Sequence, residues 1–174
     1  MKSKKIVRTM TKKHKAAVSC LNSFSKFLIS CSCEDNLILV YDYQRQEVDQ
    51  EIRLQQDTVS GLPTVVNMFK DSASGADLLL IGTTSGKVLI YDLQLKQFGH
   101  EIKTGQDVGS SFQMKPGFRI CQFAKSKQQD MQSLSCNVFA VVSECGQIKL
   151  IDVAVCSGSE SAGYRLQFKE LVEL

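Results

Sequence analysis

The 174-residue sequence has no tryptophan, two prolines, two histidines and no long apolar run. No run approaches the roughly 18 apolar residues of a membrane-spanning helix, so no transmembrane segment is predicted. Positions 1–15 lack the apolar core of a secretory signal and are too highly charged for one. The remaining composition is average, with 43% apolar and 22% charged residues, which excludes a collagen-like or fully disordered chain. We expect about one globular domain, in the cytoplasm or the nucleus.

The sequence also has few of the groups that catalysis requires. It contains no G-x-S-x-G, no glycine-rich phosphate loop and no H-E-x-x-H motif. His14 and His100 lie at unrelated positions, and neither can be assigned to a triad with a serine and an aspartate. We therefore expect no catalytic residue, no cofactor site and no metal site, and a protein that is not an enzyme.

Seven cysteines are present, but their spacing does not suit a zinc site. Structural zinc sites usually take two closely spaced pairs, and no pair here has C-x-x-C spacing. Most of these cysteines lie inside apolar runs, where cysteine behaves as a small hydrophobic residue. We interpret all seven as reduced core thiols: Cys20, Cys31, Cys33, Cys121, Cys136, Cys145 and Cys156.

Charge is distributed unevenly along the chain. Residues 1–30 hold eight basic side chains and no acidic one, whereas the rest of the chain is mildly acidic. Such a segment has two interpretations. It is either a solvated, lysine-rich edge strand or a site that attracts phosphate-rich partners such as nucleic acid or an anionic lipid surface. The candidate anion-binding residues are Lys2, Lys4, Lys5, Arg8, Lys12, Lys13 and Lys15.

An apolar, β-branched segment that ends in aspartate occurs three times, at 37–42, 88–92 and 148–152. Each copy follows a polar turn, and another short apolar run precedes that turn, which is the pattern of a β-hairpin. With one strand before and one strand after each hairpin, every repeat supplies four short strands. The equivalent residues of the three copies are Tyr41, Tyr91 and Ile151.

Repeats of four strands, spaced 50 and then 60 residues apart, indicate the blades of a β-propeller. No segment of useful length has helical periodicity. We therefore predict an all-β fold, a partial β-propeller of about three four-stranded antiparallel blades plus an N-terminal strand from a closing blade. The predicted boundaries are 1–13 for that strand, 14–56 for blade 1, 57–106 for blade 2 and 107–174 for blade 3.

Residues 14–42 resemble a WD-repeat unit of the β-propeller family of that name. His14 stands where that family opens its first strand, Asp35 stands in the hairpin turn, and Tyr41-Asp42 replaces the usual Trp-Asp pair. In the family these residues form a structural hydrogen-bond network, and Cys31 stands where its hydroxyl partner would be. The resemblance implies structural roles for His14, Asp35, Tyr41, Asp42, Tyr91, Asp92 and Asp152.

The resemblance further implies a protein-binding function. WD-repeat propellers present loops and blade ends to partners and act as non-catalytic subunits of larger assemblies. We expect such a scaffold here, as a fragment of a larger propeller subunit of a multiprotein complex. The alternative is nucleic-acid or phosphoinositide binding through the lysine-rich N-terminal segment.

The predicted number of blades leaves the ring open, because closed propellers have four to eight blades. Sequence outside this chain, a second chain, or a further blade hidden in the weak third repeat could complete the ring. We predict that the polar stretches at 124–137 and 157–163 are loops on the rim that carry specificity.

Overall fold

The structure is a computed structural model of the chain. It describes residues 13–54, 61–71, 74–99, 111–125, 137–157 and 164–173, and the side chains of these except 111–112, 154–157 and 164–173. Within these ranges every regular element is a β-strand, and all strand pairs are antiparallel. The strands form three sheets in chain order, which confirms the predicted all-β fold of about three four-stranded blades.

Sheet 1 contains four strands that are neighbours in sequence and in space. They are β1 (Cys20–Phe24), β2 (Phe27–Ser32), β3 (Leu37–Asp42) and β4 (Glu47–Ile52). A two-residue turn joins β1 to β2, and its first residue, Ser25, has a φ of 52°. Such left-handed turns match the twist of an antiparallel pair, so the short connection fixes the register of the two strands.

In sheet 2, two short strands share the outer edge of the third strand. Its strands are β5 (Pro63–Lys70), β6 (Asp77–Thr83), β7 (Lys87–Asp92) and β8 (Gln97–Phe98), and β9 (Ser111–Gln113) also pairs with β7. Strand β8 pairs with the end of β7 at Asp92, and β9 pairs with its beginning at Lys87. Sheet 2 therefore extends past position 106, at which we placed the end of blade 2.

Sheet 3 ends in a long hairpin. Its strands are β10 (Ile120–Lys125), β11 (Val138–Ser143), β12 (Ile148–Ser157) and β13 (Tyr164–Glu173). Strand β11 pairs with β12 only as far as Asp152, whereas β13 pairs with β12 to its end at Ser157. The last five residue pairs of the hairpin thus extend beyond β11.

The core consists of two apolar layers, one between each pair of neighbouring sheets. The layer between sheets 1 and 2 includes Ile29, Val40, Leu79 and Ile81, and the layer between sheets 2 and 3 is built in the same way. The largest members of the layer between sheets 2 and 3 are Phe69 and Phe139, whose rings meet edge to face with centroids 5.0 Å apart. The sheets approach each other chiefly through their first strands, β1, β5 and β10.

The three sheets repeat one another in register. Tyr41 pairs with Leu28 in sheet 1, and Tyr91 pairs with Leu79 in sheet 2. In sheet 3, Ile151 pairs with Phe139. The three residues therefore occupy equivalent places in successive sheets, as the sequence repeat predicts. The predicted closing-blade strand at 1–13 lies outside the described residues except for Lys13.

The prediction that all cysteines are core thiols is wrong for two of them. Cys31 is buried, and Cys20 and Cys33 are half-buried, but Cys121 and Cys145 are exposed. Cys121 lies on an exposed part of β10, and Cys145 occupies the turn before β12, so neither has a neighbouring sheet to cover it. Cys136 and the side chain of Cys156 lie outside the described residues.

Candidate interaction surface

The turns of the three sheets fall at two ends of the molecule. We call the end with the turns at 33–36, 84–86 and 144–147 the upper end, and the end with the turns at 25–26, 43–46 and 93–96 the lower end. Because antiparallel strands reverse direction at every turn, equivalent turns of successive sheets lie at the same end. The side chains of these turns are therefore collected at the two ends.

At the upper end of sheet 1, a polar network fixes the chain before β1. The Nε2 atom of His14 lies 2.8 Å from the Ser30 hydroxyl, and its Nδ1 atom lies 3.5 Å from Asp35 Oδ2. The same carboxylate oxygen accepts the N–H groups of Lys15 and Ala16 at 2.6 and 3.1 Å. Both His14 and Asp35 are thus held within the fold, in positions suited to a structural role.

The hydroxyl partner in this network is Ser30, which corrects our assignment of that place to Cys31. Alternate residues of a strand point to opposite faces. Cys31 therefore lies on the opposite face, in the apolar layer against sheet 2. Burial raises the pKa of its thiol to about 12, so Cys31 remains a neutral core group.

The environment of Asp35 favours its charged form. Burial acts to raise the pKa of Asp35, but the N–H groups of Ala16 and Lys15 and the ring of His14 outweigh it. The pKa of this carboxyl is therefore held below its ordinary value. A carboxylate fixed in this way organises the turn and is a poor proton donor or acceptor for catalysis at neutral pH.

A buried hydroxyl stands at the end of each second strand and, in sheets 1 and 2, caps the upper turn, a feature that sequence reasoning missed. Ser32, Thr83 and Ser143 occupy equivalent positions. Ser32 accepts the N–H of Asp35, and Thr83 accepts the N–H of Lys87 at 3.1 Å. These hydroxyl groups could have been found from the sequence, because a serine or threonine stands shortly before every hairpin turn.

At the lower end, aspartates close the turns of sheets 1 and 2 in the same manner. Asp42 Oδ1 accepts the N–H groups of the residues two and three positions later, at 2.9 and 3.0 Å. Asp92 Oδ1 accepts the corresponding pair at 2.7 and 2.8 Å. Asp152 differs, because β12 continues beyond it in place of a turn.

The residue facing each of these aspartates differs among the sheets. The equivalent residues are Lys26, Asp77 and Asn137, because the carbonyl of each accepts the N–H of the residue after the aspartate. The ammonium of Lys26 lies 3.0 Å from Asp42 Oδ2. In sheet 2 the buried Asp92 Oδ2 has no hydrogen-bond partner among the described residues.

Polar contacts also join the sheets to one another. Gln50 donates to the carbonyl of Leu93 at 2.7 Å and accepts the Tyr91 hydroxyl at 3.2 Å, which links sheets 1 and 2. Asn137 donates to the buried Asp71 at 2.8 Å, which links sheets 2 and 3. These buried contacts fix the relative rotation of the sheets, and hence the spacing of the turns at each end.

Two of the candidate anion-binding residues lie in the described part of the chain. Lys13 and Lys15 are exposed at the upper end, and the others, Lys2, Lys4, Lys5, Arg8 and Lys12, lie outside it. Three more exposed basic residues share the upper end: Arg53, Lys115 and Arg119. Arg53 donates to the Asp35 carbonyl at 2.8 Å, and Arg119 lies 3.5 Å from Glu144.

Exposed apolar side chains occur at the lower end. Tyr43 is 53% exposed and Leu95 is 46% exposed, and they lie in the equivalent turns of neighbouring sheets. The Tyr43 hydroxyl donates to the Ser25 carbonyl at 2.8 Å, which holds the ring in place. Large apolar groups fixed on an outer surface are typical of protein interfaces.

The described residues contain no group of three or more His, Cys, Asp or Glu side chains arranged to hold a metal ion. Over the same ranges, no helix is present that could cross a membrane.

Comparisons with known proteins find structural similarity but no family. No protein-family model and no curated protein matches the chain. The computationally designed protein Ika8 matches 80% of the chain with a TM-score of 0.51 and 19% identity, and the match spans 34% of that protein. The C-terminal WD40 domain of Sif2 matches 81% of the chain with a TM-score of 0.30 and 12% identity, across 56% of that domain. The chain thus spans about a third of the designed protein and just over half of the WD40 domain.

The fold of the chain is β-propeller-like, as the successive four-stranded sheets with apolar layers between them indicate. Its polar networks in sheet 1 bind backbone groups of the same chain. Exposed side chains at the two ends are available to other molecules, as is Leu21 on β1, which is 64% exposed.

Proposed function

We propose that the protein is a non-catalytic WD-repeat scaffold that binds other proteins, as part of a larger propeller subunit of a multiprotein complex. The observation that carries this proposal is the exposure of Tyr43 and Leu95 on neighbouring turns of the lower end. Their turns are held by Asp42 and Asp92, so a partner would meet preformed groups and pay little ordering entropy. A cytoplasmic or nuclear location is part of the same proposal.

An affinity capture with a matched surface variant tests the proposal. The tagged chain is incubated with native extract, and bound proteins are quantified by mass spectrometry beside those bound by the double variant Tyr43→Asp, Leu95→Asp. We expect a defined set of proteins to bind the native chain and to be lost from the variant. A control variant, Gln44→Asp and Gln94→Asp, adds the same charge at neighbouring exposed positions and should retain them. Equal capture by all three chains would refute the lower end as the binding surface.

The outer face of sheet 3 supports the proposal that further sheets complete the ring. Its apolar positions are only half-buried, whereas the facing positions of the two internal layers are buried. These positions are Val138, Ala140, Val142, Ile148 and Leu150. We propose sequence outside this chain as the source of the missing sheets, with a second chain as the alternative. The native mass distinguishes these two sources, because only completion by a second chain requires an assembly of two or more chains.

The second candidate function is binding of a phosphate-rich polyanion at the upper end. Five exposed basic side chains there favour it: Lys13, Lys15, Arg53, Lys115 and Arg119. Nucleic acid and anionic lipid are separated by titrating the protein with a single-stranded RNA oligonucleotide and with phosphoinositide vesicles. Binding should weaken steeply with salt and should be lost in the variant Lys13→Glu, Lys15→Glu. Binding that neither salt nor this variant changes would eliminate this function.

A further inference from the structure

The turn after β7 repeats the turn after β3 but lacks its basic side chains. In sheet 1 the ammonium of Lys26 lies 3.0 Å from Asp42 Oδ2, and Arg45 Nε lies 3.9 Å from the same oxygen. The residue of sheet 2 equivalent to Lys26 is Asp77, because the carbonyl of each accepts the N–H of the residue after the aspartate. Arg45 and Leu95 are also equivalent, because the N–H of each bonds to the aspartate three positions earlier. Sheet 2 therefore has an acidic and an apolar residue where sheet 1 has two basic ones.

The carboxylate of Asp92 is buried, and only one of its oxygens is hydrogen-bonded. Asp92 is 5% exposed, and its Oδ1 accepts the N–H groups of Gln94 and Leu95 at 2.7 and 2.8 Å. Its Oδ2 has no hydrogen-bond partner among the described residues, and no lysine or arginine of that part of the chain forms an ion pair with it. Burial of an unpartnered carboxylate oxygen costs free energy of folding, so this oxygen would gain from a cation supplied by another molecule.

The surroundings of this oxygen fit a lysine side chain. Asp77 is half-buried and stands where sheet 1 has an ammonium, so it adds a second negative charge beside Asp92. Leu95 is 46% exposed and belongs to the same turn. A lysine combines an ammonium with an apolar stem that lies readily along an apolar surface. The two carboxylates therefore suit the ammonium, and Leu95 suits the stem.

We propose that Asp92 and Asp77 form a binding site for a lysine side chain of a partner protein, with the ammonium at Asp92 Oδ2 and the stem against Leu95. The inference rests on the proposed scaffold function and names the chemistry of the partner, which presents an exposed lysine to the lower end. Lys26 occupies the corresponding place in sheet 1, so of these two turns only that of sheet 2 offers an oxygen to the partner.

Titration with Nα-acetyl-lysine methylamide, followed by amide NMR spectra, tests the site without knowledge of the partner. The amide signals of Gln94 and Leu95 are direct reporters, because both N–H groups bond to Asp92. We expect saturable shifts of both signals. The uncharged norleucine analogue has the stem without the ammonium, so it should bind about tenfold more weakly or not at all.

The turn of sheet 1 provides a control within the same spectra. The N–H groups of Gln44 and Arg45 bond to Asp42, whose other carboxylate oxygen already pairs with Lys26. Their signals should not move with the lysine derivative. Shifts of equal size in the two turns would mean that the probe acts through its charge alone and would overturn the site.

Two variants locate the binding. Asp77→Lys supplies an ammonium from within the chain, as Lys26 does in sheet 1, and should abolish the shifts at Gln94 and Leu95. Asp92→Asn keeps a side-chain oxygen for the turn but removes the charge, and it should abolish them as well. The dispersion of the same spectra shows that each variant is folded. An undiminished response in either folded variant, or no saturable shift in the native chain, would overturn the site and leave the scaffold function standing.

The affinity capture connects the site to the partner. Proteins that the native chain captures should be reduced several-fold with Asp77→Lys. They should be retained by Gln44→Lys, which adds a lysine at an exposed position of the sheet 1 turn. Equal capture by Asp77→Lys and the native chain would overturn the inference and spare the scaffold function. If the native chain captures no defined protein, the scaffold function fails, and the partner lysine fails with it.

Discussion

At the lower end of sheet 1, Lys26 and Asp42 form an ion pair, whereas both residues at the equivalent positions of sheet 2 are acidic. The ammonium of Lys26 lies 3.0 Å from the buried Asp42 Oδ2, while the residue equivalent to Lys26 in sheet 2 is Asp77, beside Asp92. A nearby cation stabilises a buried carboxylate oxygen, whereas burial of a carboxylate oxygen without a partner costs free energy of folding. The same turn therefore has an ammonium beside its carboxylate in sheet 1, whereas the equivalent residue in sheet 2 is acidic.

The first prediction follows from this difference. Asp77→Lys should place an ammonium near Asp92 Oδ2 and stabilise the fold, by on the order of 1 kcal/mol because the new side chain is partly solvated. The reciprocal change, Lys26→Met, should destabilise the fold because Asp42 loses its cation. Urea unfolding of the three chains provides the measurement. A lower midpoint for Asp77→Lys than for the native chain would contradict the inferred equivalence of positions 26 and 77.

The second prediction concerns the layer between sheets 2 and 3. Phe69 and Phe139 are fully buried and pack edge to face. Phe139→Ala should cost about 3–5 kcal/mol, because it removes buried apolar area and leaves a cavity between two sheets. Phe98→Ala, at a half-buried position on the outer strand β8, is the matched control and should cost clearly less. Equal losses in the two unfolding curves would mean that the layer does not hold the sheets together.

The repeat was predictable from sequence because its signals are local. The alternation of apolar residues and the turn before each aspartate locate the hairpins, and Tyr41, Tyr91 and Ile151 fix their relative register. The hydroxyl partner of His14 was misassigned because Ser30 and Cys31 are adjacent, and a shift of one residue moves a side chain to the opposite face. Strand β9 could not be predicted, because its three residues pair with β7 only through a long-range contact.

The third prediction is a loss of stability in acid. The N–H of Arg45, above all, lowers the pKa of Asp42 below its ordinary value of 3.8; burial opposes this shift, and the Lys26 ammonium adds to it. A carboxyl whose pKa is lower in the folded than in the unfolded chain stabilises the fold above the ordinary pKa. That contribution is lost as the pH falls from the ordinary value through the folded one.

Thermal unfolding from about pH 7 to about pH 2.5 measures this loss. The native chain should lose stability as the pH falls below 3.8. The variant Asp42→Asn should be less stable at neutral pH and should lose less on acidification. Parallel curves for the two chains would show that Asp42 does not contribute to the pH dependence.

The fourth prediction ranks the thiols by reactivity. The Ser143 hydroxyl lies 3.0 Å from the Cys145 sulfur, and this contact is the largest cause that lowers the pKa of Cys145 below its ordinary value of 9.0. Burial raises the pKa of Cys31 to about 12. Because the thiolate is the nucleophile, iodoacetamide should alkylate the exposed Cys145 early and Cys31 last. Peptide mass spectrometry gives both rates.

The pH dependence of alkylation separates the effect of the hydroxyl from that of exposure. Cys121 is also exposed but lies outside this turn, so it serves as the control thiol. The reaction of Cys145 should reach half its maximal rate below pH 9.0, and Ser143→Ala should move that midpoint upward while leaving Cys121 unchanged. If Ser143→Ala leaves the pH midpoint of Cys145 alkylation unchanged, the hydrogen bond has no part in the reactivity of Cys145. Faster alkylation of Cys31 than of Cys145 would contradict the burial of β2 against sheet 2.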